Sequence, residues 1–176
     1  MAITSQEYTI QVMRLADIPI LHTTIVHSIG QAFNYFSPQF QRTIASQHSL
    51  WRLIKAYISP RARFLVLCNK AGECVGYNLV RTDRQSTAYI LWMYVAPDLR
   101  GLGLGARLLQ RSLEEAKRMK ARRLQLVTHD KEDFYAHFGF ISRQRIPGML
   151  DDIDMVIMER ELMHTPSVMR SRVEVV

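Results

Sequence analysis

The sequence contains little cysteine: only two of its 176 residues, Cys68 and Cys74. A small secreted scaffold held by disulfides needs several cysteine pairs, and a structural zinc site needs closely spaced cysteine or histidine ligands. Neither pattern is present, and the six histidines form no close metal-binding set. We therefore expect two buried thiols in a reducing compartment and no bound metal.

Long apolar runs are absent as well. The longest covers residues 90–97, whereas a membrane-spanning helix takes about 20 residues. The first residues lack the basic region and the hydrophobic stretch of a secretory signal. We therefore expect a cytoplasmic protein with no membrane partner. The chain length predicts a single domain over residues 1–163, followed by a tail over residues 164–176.

Acidic residues are fewer than basic ones, 16 against 23, which gives a net charge of +7. No aromatic residues interleave with the basic cluster, as binders of single-stranded nucleic acid require, so we expect no nucleic-acid partner. A solvated helix face and an electrostatic funnel for a polyanionic ligand are both open interpretations of the cluster. It lies on or beside one predicted helix and comprises Arg100, Arg107, Arg111, Lys117, Arg118, Lys120, Arg122 and Arg123.

The most informative segment reads VAPDLRGLGLGA and covers residues 95–106. A strand-like run leads through a short turn into three alternate glycines, and an amphipathic helix follows. Glycines let the backbone curl and let a ligand approach it closely. The first amides of the helix have no intrahelical acceptor, and the helix dipole is positive at that end. This arrangement predicts a site for a pyrophosphate or another phosphate group, with Arg100 at its rim.

The same glycines also fit a loose dinucleotide-binding pattern, with Gly101, Gly103 and Ala106 as Gly-x-Gly-x-x-Ala. Three observations argue against a dinucleotide. Residues 96–100 separate the pattern from its strand, and the pattern lies too late in the chain for a full doubly wound sheet. The acidic residue expected about twenty positions further on is also missing, because Ala121, Arg122 and Arg123 lie there.

Arg100-x-x-Gly103-x-Gly105 resembles the acetyl-CoA pyrophosphate loop of the GNAT superfamily of N-acetyltransferases. A second segment, FYAHFGF at residues 134–140, resembles that family's Tyr-x-x-x-Gly-Phe element, with Tyr135 on a short helix. The stretch between the motifs has room for one helix, one strand and one short helix. Because the two motifs occur together in this order, the resemblance is more specific than either motif alone.

Periodicity predicts the order strand, two helices, three strands, helix, strand, helix, two strands. The predicted fold class is α/β (α+β), with a mixed, mostly antiparallel sheet of about seven strands flanked by helices. The resemblance implies the same fold, with one splayed parallel strand pair. The second helical segment follows Ser37 and ends at Ser59, and the last two strands are predicted to meet at a Pro147–Gly148 turn. The expected buried stripe of that segment is Phe40, Ile44, Trp51, Ile54 and Ile58.

The resemblance implies a cofactor site for acetyl-CoA in the gap between the two parallel strands, which are expected to end near Val95 and Thr128. Backbone groups near Met93 and Val95 would bind the pantetheine arm, and amides of the glycine loop would hold the pyrophosphate. Backbone amides suit this role because they are fixed before the ligand arrives. The expected cofactor-binding residues are Met93, Tyr94, Val95, Arg100, Gly101, Leu102, Gly103, Leu104, Gly105 and Ala106.

Tyr135 is the candidate general acid, since a tyrosine hydroxyl near the gap can donate a proton to the departing thiolate of CoA. The alternative is a core tyrosine packed beside Phe134 and Phe138. Some relatives place a glutamate on the central strand as base, but residues 88–93 contain no carboxylate. A water chain, a base from elsewhere and an acceptor that arrives deprotonated remain open. His129 is the best side-chain candidate for the base, and Asp130 is expected to cap the short helix.

An aromatic cluster between the first two helices offers a candidate acceptor site, with ordinary core packing as the alternative. Its expected substrate-binding members are Phe33, Tyr35 and Phe36. The resemblance implies an acetyl-CoA-dependent N-acetyltransferase that acts on a primary amine of a small molecule or protein by direct attack in a ternary complex. A homodimer is compatible with this family. A non-catalytic CoA-binding sensor or interaction module is the alternative function.

Overall fold

A seven-stranded sheet forms the centre of the protein in a computed structural model, which describes residues 7–162. The strands lie in the order β1-β2-β3-β4-β5-β7-β6, and every neighbouring pair is antiparallel except β4 and β5. The predicted fold class is therefore confirmed. The strands are β1 Thr9–Val12, β2 Ala62–Cys68, β3 Cys74–Thr82, β4 Thr87–Val95, β5 Arg123–Thr128, β6 Ile141–Leu150 and β7 Ile153–Glu161.

Helices cover both faces of the sheet. Successive residues of a strand point to opposite faces, and along β2 Leu65 belongs to one apolar cluster while Phe64 and Val66 belong to another. The Leu65 cluster includes the inner face of α4, and the other cluster includes residues of α1, α2 and α3. None of the helices in residues 7–162 is long and apolar enough to span a membrane. The helices are α1 Ile18–Ala32, α2 Pro38–Gln47, α3 Leu50–Ile58, α4 Leu104–Arg118 and α5 Glu132–Ala136.

The prediction of one helix between Ser37 and Ser59 is wrong, because the helix is interrupted at residues 48–49. The interruption resets the rotational phase of the side chains, so the stripe that includes Ile44 does not continue along α3. Ile44 is 2% exposed as predicted, but Trp51 is 64% and Ile58 is 70% exposed. Leu53 takes the buried position of α3 instead, with 1% of its surface exposed.

The predicted Pro147–Gly148 turn is also wrong. The β6 strand continues to Leu150 with an irregularity after Ile146, and the chain reverses at residues 151–152. Asp151 and Asp152 have φ values of 52° and 61°, which is the positive-φ backbone that a tight hairpin turn requires and that aspartate tolerates. The predicted domain covers residues 1–163 and the predicted tail covers residues 164–176. Of these, residues 1–6 and 163–176, which include the whole tail, lie outside the described part of the chain.

Candidate functional site

The parallel strands β4 and β5 separate partway along their length. Their pairing joins Thr87 to Arg123, Ala88 to Leu124 and Tyr89 to Gln125. Beyond Tyr89, β4 continues to Val95 without pairing to β5, whose own end is Thr128. The predicted splayed pair is therefore confirmed. Backbone groups on this edge of β4 face a gap in which a ligand can replace the missing strand partner.

A bulge in β4 accompanies the separation. Tyr77 pairs with Tyr94 and Leu79 pairs with Leu91, so Asn78 alone faces two residues of β4. Trp92 within this bulge has a φ of 57°, which is unusual for a bulky side chain. Because a bulge bends its strand and increases the local twist, it directs the end of β4 away from β5.

The glycine segment connects β4 to α4 through a short 3-10 turn at Pro97–Leu99. Gly101 and Gly103 have φ values of 81° and 74°, and Gly103 caps α4 without a side-chain hydrogen bond. A Cβ atom at either glycine would meet no atom within 4 Å. The left-handed backbone, rather than crowding, therefore selects glycine here.

The backbone amides of residues 101–106 indicate which kind of ligand this segment can bind. Within residues 7–162, none of the six donates a hydrogen bond to the protein, and the first helical bond runs from the Arg107 amide to the Gly103 carbonyl. Unpaired amides at a helix N-terminus, with the positive end of the helix dipole, suit an anion. Arg100 adds an exposed positive charge, and its Nε lies 3.5 Å from the Val95 carbonyl oxygen. The segment therefore fits a pyrophosphate group.

Two of the four basic residues within α4, Arg111 and Arg118, form ion pairs with glutamates of the same helix. Arg111 bonds to Glu114 at 2.8 Å and to Glu115 at 3.0 Å, and Arg118 bonds to Glu115 at 2.6 Å. These pairs, three and four residues apart, lie on one side of the helix. They neutralise Arg111 and Arg118 within the helix, and their shared partner Glu115 is 4% exposed. Arg100 directly precedes the unpaired amides in the chain.

The side chains at the end of β4 divide between the two faces of the sheet. Met93 and Val95 pack against the cluster that includes α4. Tyr94 points to the other face, where it is 5% exposed and its hydroxyl donates to Gln31 Oε1 at 3.2 Å. Tyr94 can therefore reach a ligand in the gap only through its backbone.

Tyr135 lies in the apolar cluster that contains Ile90 and Leu126, the residues that directly follow the last β4–β5 pair. Its ring contacts Phe134 and Phe140, with centroid distances of 5.0 and 5.9 Å. Burial raises the pKa of Tyr135 to about 12, and the charge of Asp130 acts in the same direction. The hydroxyl is therefore protonated at neutral pH. No hydrogen bond reaches it from any described residue, so it has the capacity to donate one to a ligand.

His129 follows β5 and lies beside Tyr35 and Asp130. The centroids of the His129 and Tyr35 rings are 4.5 Å apart, and His129 Nε2 lies 3.5 Å from Asp130 Oδ1. Burial and the charge of Asp130 raise the pKa of Tyr35 to about 12. Because the charge of Asp130 acts on Tyr35 and on Tyr135, both tyrosines lie within its field. The structure thus gathers residues that are distant in the sequence.

The other two aromatic candidates differ in exposure. Phe36 is 4% exposed and packs against Phe40 at 4.7 Å, so it belongs to the core. Phe33 is half-buried and meets the edge of Trp92 at 5.7 Å, beside the bulge. Tyr35 is 41% exposed and contacts His129, as described above. Tyr35 is therefore the member of the cluster best placed to meet an acceptor.

Asp130 was expected to cap α5, and that prediction is wrong. The helix begins after Lys131, whose amide donates to the Thr128 hydroxyl at 3.2 Å. Asp130 instead forms an ion pair with Lys131, and its Oδ1 lies 3.5 Å from His129 Nε2. Sequence reasoning missed the effect of its charge on Tyr35 because tertiary packing brings Tyr35 to this loop. Across the described residues, no three histidine, cysteine, aspartate or glutamate side chains are grouped to hold a metal ion.

The chain resembles known proteins both in sequence and in fold. The sequence profile of the Acetyltransferase (GNAT) family matches residues 30–140. Mouse N-alpha-acetyltransferase 80 is 36% identical over 67 residues, which are 38% of this chain and 21% of that protein. The chain therefore spans about a fifth of the length of this curated relative.

Two solved structures share the fold. PaiA N-acetyltransferase from Thermoplasma acidophilum, in complex with coenzyme A, superposes with a TM-score of 0.70 at 18% identity, over 88% of this chain and 98% of that one. The ribosomal-protein-S18-alanine N-acetyltransferase of Escherichia coli superposes with a TM-score of 0.68 at 18% identity, over 92% and 97%. At this identity the similarity establishes the fold alone.

Proposed function

The chain belongs to the GNAT family of acetyltransferases, and we propose from this that it transfers an acetyl group from acetyl-CoA to a primary amine of a small molecule or a protein. One observation carries the proposal. The parallel strands open after Tyr89 and Gln125, beside a glycine turn whose amides at residues 101–106 have no hydrogen-bond partner among residues 7–162. A strand edge and an anion site next to each other suit a ligand with an amide-containing arm and a pyrophosphate.

Binding relies on backbone groups. The amides of residues 101–106 hold the pyrophosphate, Arg100 adds charge at the rim, and the free edge of β4 binds the pantetheine arm. A fixed array of amides needs little reorganisation when the ligand arrives. The amide of Val95, at the end of β4, polarises the thioester carbonyl as negative charge develops on its oxygen.

The chemistry is a direct attack by the amine nitrogen on the thioester carbonyl carbon in a ternary complex. The C–N bond forms, the C–S bond breaks, and Tyr135 donates its hydroxyl proton to the departing sulfur. The proton lost from the amine passes to His129 or to water. Holding both reactants in one site supplies much of the acceleration without a covalent acyl-enzyme. Burial raises the pKa of the Cys68 thiol and that of the Cys74 thiol, the latter to about 11, which disfavours a cysteine nucleophile.

Tyr35, Phe33 and His129 form the acceptor side of the proposed site. Asp130 Oδ1 lies 3.5 Å from His129 Nε2 and Oδ2 pairs with Lys131, so an ammonium group of the acceptor would share this carboxylate with Lys131 before the amine loses its proton. The overall charge of +7 favours neutral or acidic acceptors, whereas this local carboxylate favours an amine that arrives protonated. We also propose a cytoplasmic location and a homodimeric state. Sedimentation equilibrium tests the homodimeric state.

A second candidate function is a CoA-binding sensor or interaction module without catalysis. The specific observation in its favour is the absence of a carboxylate from the β4 segment 88–93. Turnover with any amine would exclude it. Binding of acetyl-CoA without turnover across a broad amine panel would favour it.

The first experiment is a thermal-shift titration with acetyl-CoA, CoA and NAD in parallel. A ligand that binds only the native state at a hundredfold excess over its Kd raises the unfolding free energy by roughly 2.7 kcal/mol. We expect a clear shift with acetyl-CoA and none with NAD. Release of CoA is then followed with small primary amines, lysine-containing peptides and peptides with free N-termini. No shift with acetyl-CoA would contradict the proposal.

A further inference from the structure

The two cysteines face each other across the β2–β3 hairpin. Cys68 and Cys74 are Cα partners in the antiparallel register, directly beside a register shift between Leu67 and Cys68. The adjacent Asn69 amide donates to the Glu73 carbonyl at 3.0 Å, so the cysteines occupy the neighbouring non-hydrogen-bonded position. Opposed Cα atoms at such a position lie about 4.5 Å apart, within the range of roughly 4.4–6.8 Å that a disulfide spans.

Both thiols lie on the same face of the sheet. Cys68 belongs to the apolar cluster beneath α1, and Cys74 packs against that same cluster. Leu67, which directly precedes Cys68 on β2, belongs to a different cluster, on the opposite face of the strand. The side chains therefore point towards the same space, as a cross-strand disulfide requires.

The two thiols differ in access. Cys68 is 9% exposed. Cys74 is half-buried and lines an open cavity of about 320 Å³ between α1 and the end of β4, together with Thr24 and Tyr94. A small oxidant that enters the cavity therefore meets Cys74 first, with Cys68 behind it.

We propose that Cys68 and Cys74 form a redox modification site that a peroxide converts to an intramolecular disulfide. The Cys74 thiolate attacks a peroxide oxygen, the O–O bond breaks, and Cys74 becomes a sulfenic acid. The Cys68 thiolate then attacks the Cys74 sulfur, the S–S bond forms, and the hydroxyl group leaves as water. Two thiols and one hydrogen peroxide give one disulfide and two waters, and a dithiol reductant reverses the change.

The reaction is slow at neutral pH because thiolates, not thiols, attack the oxidant. Burial raises the pKa of both cysteines, that of Cys74 to about 11. The charges of Arg14 and Asp17 act on Cys68, Thr24 bonds to Cys74, and His27 and Asp98 line the cavity. We therefore expect the oxidation rate to rise about tenfold for each pH unit between roughly 7 and 9, as the thiolate fraction rises.

The test uses the reduced 176-residue chain, dilute hydrogen peroxide and a thiol count in denaturant. We expect both thiols to disappear together and to return after treatment with dithiothreitol. Trypsin places Cys68 in the peptide 64–70 and Cys74 in the peptide 71–81. The expected product is these two peptides joined, with a mass two hydrogens below their sum.

Cys68→Ser and Cys74→Ser are the matched controls. Each keeps one thiol and the size of the other side chain, and neither can give the joined peptide within one chain. Independent oxidation of the two cysteines would overturn the proposal. So would a disulfide that forms only between copies at high protein concentration, or one that forms only when peroxide is added in denaturant.

Discussion

Ser37 and Asp151 lie 114 residues apart and are joined by two hydrogen bonds. The Ser37 hydroxyl donates to Asp151 Oδ1 at 2.7 Å, and its backbone amide donates to Oδ2. The same hydroxyl accepts from the Phe40 amide at 3.2 Å and so caps α2. This contact ties the loop that carries Tyr35 to the β6–β7 turn, and it holds the proposed acceptor side of the site in one position.

Loss of the Ser37–Asp151 contact should weaken binding of the amine acceptor more than binding of acetyl-CoA. We expect Ser37→Ala and Asp151→Asn each to lower the unfolding free energy by about 1 kcal/mol, through loss of a charged hydrogen bond or a helix cap. The double variant should cost less than the sum of the two, because both remove the same contact. The KM for the amine should rise several-fold with little change in the Kd for acetyl-CoA.

Urea unfolding and steady-state kinetics provide the measurements. Asp152→Asn is the control, because Asp152 occupies the same turn with a similar positive φ but makes no hydrogen bond to Ser37. Additive effects of the Ser37 and Asp151 substitutions would show that the contact does not act as a unit.

Replacement of Gly103 tests the anion site. Gly103→Ala places a Cβ on a backbone with a φ of 74°, which costs about 1–2 kcal/mol for an L-residue. We expect lower stability and a Kd for acetyl-CoA raised about tenfold, equivalent to ~1.4 kcal/mol, because the amides lose their alignment.

Gly30→Ala is the matched control for Gly103→Ala. Gly30 lies on the exposed side of α1, and a Cβ there meets nothing within 4 Å. Alanine should stabilise the helix by about 0.5–1 kcal/mol and leave cofactor binding unchanged. Isothermal titration with acetyl-CoA separates the two cases, and equal affinities for both variants would contradict the proposed anion site.

Tyr135→Phe tests the proposed general acid. No described residue forms a hydrogen bond with the Tyr135 hydroxyl, and the ring lies in an apolar cluster. Removal of the hydroxyl should therefore change the unfolding free energy by less than about 0.5 kcal/mol. We expect kcat to fall on the order of a hundredfold, the lower end of general acid catalysis, with the Kd for acetyl-CoA nearly unchanged. Tyr57→Phe, on the exposed side of α3, should leave kcat as it is.

The pH profile adds a second readout for Tyr135. Its pKa is raised to about 12 by burial, so the hydroxyl stays protonated through the neutral and mildly alkaline range. Ionisation of Tyr135 should therefore cause no loss of kcat between about pH 7 and 10. A kcat of Tyr135→Phe equal to that of the parent at saturating substrates would remove this residue from the mechanism.

The parts of the fold that the sequence predicted correctly depend on short-range signals. The glycines at positions 101 and 103 have positive φ, and the turn before the helix follows directly from that local requirement. Gly139, with a φ of 76°, ends the short helix for the same reason. Alternation of apolar and polar residues likewise locates strands without knowledge of their partners.

The errors arose where tertiary packing chose between local options. Pro147 and Gly148 are typical turn residues, and Gly148 does take a φ of 59°. The structure uses it for an irregularity within β6, while the reversal falls on the two aspartates that follow. The Tyr35–His129 contact joins segments far apart in the chain, and no periodic pattern in a single sequence encodes such a pairing.

Glu159 links the three strands at the far edge of the sheet. It is 5% exposed and accepts from Gln125 of β5 at 2.6 Å and from Arg143 of β6 at 3.1 and 2.9 Å. The hydrogen bond from Gln125 and the bonds and charge of Arg143 lower its pKa, against the opposing effect of burial. A carboxyl whose pKa is lower in the folded state stabilises the protein above its unfolded pKa, and that stabilisation is lost as the pH falls through the folded pKa.

Glu159→Gln should therefore lower the unfolding free energy by about 2 kcal/mol at pH 7, since the hydrogen bonds lose their ionic partner. The difference from the parent should shrink as the pH falls from about 5 towards 3, because the parent then loses the same charge. Glu161→Gln, on the same strand but exposed, is the control and should change stability little. Urea unfolding across this pH range decides the matter: a difference that stays constant would mean that Glu159 acts through packing and neutral hydrogen bonds rather than through its charge.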